Sequence, residues 1–229
     1  MSSFLRDSLK GSLTESPLFS LPVKSLLTCL CVLLALSTAS LPVFAISRQV
    51  NLTEMTTGAG RVVYGRIAEV RNGTHPDYSH IAVTFVTLDV IEMLKGSAAK
   101  RLTFMQFASA QGQSQAVAHN YHMPKYAVGE EVVLFLYPES RYGFTSPVGE
   151  GQGKFQVNND PRTGRRALIN ERGNYQLFEP LRNEKAQSHF KLNSAERSLI
   201  ARQNGAADLE TFRSLIRKLA AGGSAVNVN

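Results

Sequence analysis

The chain has 229 residues, a net charge of +7 and 43% hydrophobic content, which allows one folded domain with an appendage. Its two cysteines, Cys29 and Cys31, lie in an apolar run near the N-terminus, so the remainder can form no disulfide, thiolate nucleophile or cysteine-based metal site. There is no tryptophan, which argues against a carbohydrate module that stacks sugars on indole rings.

Arg6, Lys10 and Lys24 precede an apolar or small-residue run over 25–40, followed by Pro42 and then Val43-Phe44-Ala45. This order predicts a signal peptide over 1–45, cut between Ala45 and Ile46, and hence a periplasmic or secreted protein. The alternative is an uncleaved anchor, since 26–46 is just long enough to span a bilayer. Neither cysteine is placed for lipid attachment. Removing three basic residues and two acidic ones (Asp7 and Glu15) with the leader leaves a mature charge of +6 and no transmembrane span. A moderate basic excess favours polyanions or an anionic envelope surface.

After the leader, 46–60 reads as a short helix capped by Asn51 and ended by Gly58 and Gly60. RVVYGRIAEV (61–70) is a strand whose central Gly65 marks a bend or a close backbone approach. RNGTHPDYS (71–79) is loop. In 80–96 the apolar face changes part-way, which predicts a bulge or a strand covered on both sides. RLTFMQF (101–107) alternates as a strand, and 108–129 reads as a surface loop. EVVLFLY (131–137) is apolar almost throughout, as a central strand should be. RYGFTS (141–146), KFQV (154–157) and RALIN (166–170) complete the strands, the last two flanking a hairpin loop. The fold class is therefore mainly β with minor α: a small antiparallel OB-like barrel over 46–170. Residues 171–207 read as a polar linker with a short helix at 194–203. Residues 208–221 read as an amphipathic helix with Leu209, Phe212, Leu215, Ile216 and Leu219 on one face and Asp208 as cap.

Little in the chain suggests catalysis. VGEGQGK (148–154) lacks the phosphate-loop spacing and leads into a strand instead of a helix. His119 and His122 form an H-x-x-H pair, and His75, Asp77 and His80 form a second cluster. An exported metal-dependent hydrolase would need both loops to meet at one site. Gly-x-Ser-x-Gly is absent, and Glu130 and Glu131 are placed to pair with Arg or Lys across the sheet. No catalytic residue, metal site or cofactor is assigned.

Four segments carry a resemblance: V-x-G-x-[VI] in RVVYGRIAEV, L-K-G ending VTFVTLDVIEMLKG, G-E-x-x-x-L-F-L in GEEVVLFL, and G-x-x-Q-G-K-F in GEGQGKF. Together, over roughly 50–170, they resemble a family of uncharacterised exported bacterial proteins. The layout is also similar to the OB-like N-terminal domain of tissue inhibitors of metalloproteinases. That likeness implies a barrel only, because those inhibitors chelate zinc through an N-terminal cysteine and the mature chain here has none. The expected function is a non-catalytic module binding a protein or polyanionic partner at the envelope or outside the cell, with no specific nucleic-acid recognition. Its expected contacts are Tyr64, Arg66, Tyr121, His122, Tyr126, Lys154, Arg165 and Arg166. The alternative to the hydrolase and the binding module is a structural envelope component docked through the C-terminal helix.

Overall fold

Asn51 opens the first helix as its sequence position suggests. Its side chain accepts from the Glu54 N–H at 2.9 Å, and the Glu54 carboxylate accepts from the Asn51 N–H at 3.4 Å, a capping box that starts α1 (Leu52–Gly58). This computed structural model describes residues 48–108, 123–161 and 163–222, so the expected leader and the Ala45/Ile46 bond lie outside the described residues. Lys95 closes α1 from the other end, donating to the Thr56 carbonyl at 2.7 Å and the Ala59 carbonyl at 2.6 Å. A cation there answers the negative end of the helix.

Among the described residues seven strands form one antiparallel sheet: β1 (Arg61–Thr74), β2 (Ala82–Lys95), β3 (Arg101–Phe107), β4 (Glu131–Leu136), β5 (Lys154–Asn159), β6 (Arg166–Asn170) and β7 (Ala207–Asp208). Their order is β3-β2-β1-β4-β5-β6-β7. The sheet is open, and the expected closed barrel is corrected on this point. The second edge of β5 is taken by β6, so β5 is not available to β3 and the sheet ends at β3 and β7.

Bending is concentrated in β1, whose register against β2 shifts at Val62/Val63, Tyr64/Gly65 and Ile67/Glu69. At Gly65 the backbones come so close that a Cβ would lie 2.6 Å from the Asp89 carbonyl oxygen, which is the approach the mid-strand glycine suggests. The shifts also account for the face change along β2: Val86 and Leu88 enter one core, Leu94 the other.

Both faces of the sheet are apolar. On one, Val62, Val133, Phe135, Phe155 and Leu168 pack against α1 and against α4 (Leu209–Gly222), with Phe155 and Phe212 ring centroids 5.1 Å apart. On the other, Val63, Ile67, Val86, Leu88, Phe104, Val132, Leu134 and Leu136 form a second cluster. β4 feeds both alternately, which is why it is apolar at nearly every position.

Two further expectations change. RYGFTS forms a turn and not a strand, since Ser140 Oγ accepts from the Tyr142 and Phe144 N–H groups at 3.3 and 3.1 Å and Gly143 has φ 77°. Only single bridges, Met105 to Phe144 and Leu136 to Pro147, join this region to the strands. The segment expected as a polar linker belongs to the larger core, to which it gives Leu177, Phe178, Leu181, Phe190, Leu192, Leu199 and Ile200. It folds as a 3-10 turn (Glu179–Arg182), α2 (Glu184–His189) and α3 (Ser194–Ile200). Asn170 and Asn174 anchor its start reciprocally, each backbone N–H donating to the other's Oδ1, at 3.0 and 2.9 Å. No described helix is long and apolar enough to cross a membrane.

Candidate binding cleft

The described residues among those expected to make contacts fall into two separate clusters, one on each face of the sheet. Tyr64 is buried, with 5% exposure, and its hydroxyl donates to Glu131. Burial, then the bond to the Glu131 carboxylate, pushes its phenol up to about 12. Arg166 also pairs with Glu131, Arg66 reaches it at 3.5 Å, and Arg213 of α4 stands 5.2 Å from the Tyr64 ring centroid. Arg165 pairs separately with Asp208 at 2.8 Å.

On the opposite face Lys154 meets Glu130 at 2.8 Å, each side chain only 11% exposed. The Lys154 ammonium also lies 4.7 Å from the Tyr126 ring centroid. Tyr126 packs edge-on against Phe104, its hydroxyl buried without a partner among the described residues, and burial pushes that phenol up. Tyr64 is thus part of the larger core, Tyr126 is partly buried against the second cluster, and Lys154 is paired with Glu130. Arg66, Arg165 and Arg166 remain exposed. Tyr121, His122 and His119 lie outside the described residues.

The glycine cluster has a structural use. Gln152 is fully buried, accepting from the Val50 N–H and donating to the Arg48 carbonyl, both at 2.9 Å. At Gly153 a Cβ would lie 2.6 Å from the Val148 carbonyl oxygen, so the chain crosses there without room for a side chain.

A cleft of about 350 Å³ opens elsewhere, between the loop after β1 and the turn after β4. Its lining includes Phe85, Thr103, Met105, Arg141 and Tyr142. His75, 3% exposed, joins the two loops: Nδ1 accepts from the Asp77 N–H at 3.1 Å and Nε2 donates to the Tyr142 carbonyl at 2.8 Å. That bonding selects the neutral Nε2–H tautomer and occupies both ring nitrogens, so neither is open to a metal. Among the described residues no group of three or more His, Cys, Asp or Glu side chains is placed to hold a metal ion.

Aromatic rings continue outward from His75. Tyr78 lies 4.9 Å from it and Phe144 5.2 Å, Tyr142 stands edge-on to Tyr78 at 5.8 Å, and Phe107 stacks on Phe144 at 4.2 Å. Tyr78 and Tyr142 are 39% and 43% exposed. Arg141 lies over the Tyr142 ring at 4.5 Å, and no described carboxylate pairs with it. Sequence reasoning missed this group. Its loop members lie in two segments more than sixty positions apart, with Phe107 at the end of β3 between them, and only the folded sheet brings them together. Comparison with protein families, with curated proteins and with solved structures finds no match to the chain.

Proposed function

We propose that the chain is an exported, non-catalytic module, OB-like in its first five strands, that binds a partner protein through the aromatic cleft. The observation that carries this reading is the exposed Tyr78–Tyr142 pair beside Arg141, which no described carboxylate pairs, at a cleft of mixed polar and aromatic lining. Tyrosine and arginine are among the side chains that most often anchor protein interfaces: tyrosine covers large area with few rotatable bonds and keeps a polar tip, and arginine offers a planar fork of donors. The position supports it as well. In OB barrels ligands meet the strand 2–3 face between the first and fourth connecting loops, and the cleft lies between the corresponding connections here. That likeness is one of layout.

A polyanion is the second reading, favoured by the two guanidinium groups of Arg66 and Arg166 on the single Glu131 carboxylate. The two separate by salt. Capture from an envelope extract with the purified protein is expected to retain a partner at both low and high salt, and Tyr142→Ala is expected to weaken retention about tenfold or more. Binding that disappears at high salt, and that follows Arg166→Ala instead of Tyr142→Ala, would replace the protein partner with a polyanion.

A further inference from the structure

The cleft runs beside the outer edge of β3, which no described strand pairs and on which residues 144–145 already sit at Met105. β3 is the outermost strand, and three consecutive residues, Thr103, Phe104 and Met105, line the cleft. Which of its backbone groups are free follows from the bonds at either end. The Lys100 carbonyl accepts from the Val90 N–H at 2.9 Å, and the Ala108 N–H donates to the Ala82 carbonyl at 3.2 Å. Even-numbered residues of β3 therefore bond β2, and the odd-numbered ones point their N–H and C=O groups away from the sheet. Met105 confirms the parity, since its carbonyl accepts from the Thr145 N–H at 2.9 Å on the outer side. The hydroxyl pair Thr87–Thr103 at 3.0 Å fits a non-hydrogen-bonded position. Thr103 thus presents one N–H and one C=O outward, with no described residue bonding either.

We infer that β3 adds a strand from the partner: an extended peptide bonds Thr103 and places one large side chain in the cleft. This rests on the protein-binding reading above. An outward backbone edge has one general complement, another extended backbone. Side chains of that peptide alternate in direction, so every second one faces the cleft. Arg141, which no described carboxylate pairs, selects an acidic residue on the same face as that anchoring side chain. Glu139, which also lines the cleft, is already held by Arg61 at 3.0 Å.

The probe is the tightest peptide selected from a displayed library of random seven-residue sequences, assayed against the purified full chain. Thr103→Pro removes the outward N–H at an edge position where proline is tolerated, and Thr103→Val controls for loss of the Thr87 contact. The expected results are binding within about twofold of wild type for Thr103→Val and about tenfold weaker for Thr103→Pro. On the wild-type protein, Thr103 amide exchange should slow when the peptide is bound, a readout independent of the proline variant's folding. Equal binding by the two Thr103 variants, an unchanged Thr103 amide, or no peptide selected at all would overturn strand addition. Peptide binding that Tyr142→Ala abolishes and Thr103→Pro leaves intact would sink the edge while sparing the cleft; binding indifferent to both would remove the two together.

Discussion

At Glu131 one carboxylate holds a tyrosine hydroxyl and two guanidinium groups. Burial alone would raise its pKa, but hydrogen bonds from Tyr64 and Arg166 and the charges of Arg166 and Arg66 outweigh burial and hold it below its ordinary 4.5. Glu92, gripped by Arg213 and Arg217, and Glu196, bonded by Lys218, the Asn193 N–H and Ser214, go the same way against their own burial. A carboxylate depressed in the folded state stabilises fully above its unfolded value and loses that contribution as pH falls through the folded one. Thermal melts are therefore expected to be flat from about pH 5 to about pH 9 and to drop steadily below 4.5, with Glu131→Gln shallower in the acid range. A melting temperature that rises on acidification would contradict the assignment. Glycines give a second test at this scale. A methyl at Gly65 or Gly153 meets a backbone oxygen, which cannot swing aside, so each Gly→Ala change should cost roughly 2–3 kcal/mol in urea unfolding.

Among the elements, α4 carries the largest consequence. Leu209, Phe212, Leu215, Ile216 and Leu219 are all buried within the chain, so the apolar face that suggested docking to an envelope partner is already covered. Phe212→Ala should cost about 3–5 kcal/mol, and truncation before Leu209 should yield an unfolded chain by circular dichroism, not a folded sheet set free. The helix itself was legible because its apolar residues repeat at helical spacing, and the strands because theirs alternate or run together. Residues 171–193 were not, although the short helix expected at 194–203 is present as α3. Leu177, Phe178, Leu181, Phe190 and Leu192 follow no single period, being set by short turns that each turn one side chain inward. Barrel closure was illegible for a related reason: strand patterns say which faces are buried, not which edge β5 will choose. Tyr64 and Tyr126 show the same limit, since alternation places them on a face without saying what covers it.

At the scale of the described fold, the bent sheet has a core on each side, and among the described strands β4 alone alternates between the two over every residue from Val132 to Leu136. In the finished fold Val132, Val133, Leu134, Phe135 and Leu136 are all fully buried. Before β1 and β5 arrive, the same five residues make an uncharged, β-prone stretch of the kind that pairs with copies of itself. Glu130 and Glu131 stand at one end of it, and Pro138 with Glu139 at the other. These positions act as gatekeepers on the unfolded chain, a task separate from any salt bridge they make later. Refolding of a Glu130→Gln, Glu131→Gln double variant should lose yield to aggregates as protein concentration rises, while Arg66→Gln, which breaks a native pair without touching the flank, should not. The adjacent carboxylates that invite a search for an acid and a base serve first to keep the stickiest strand of the chain from finding the wrong neighbour.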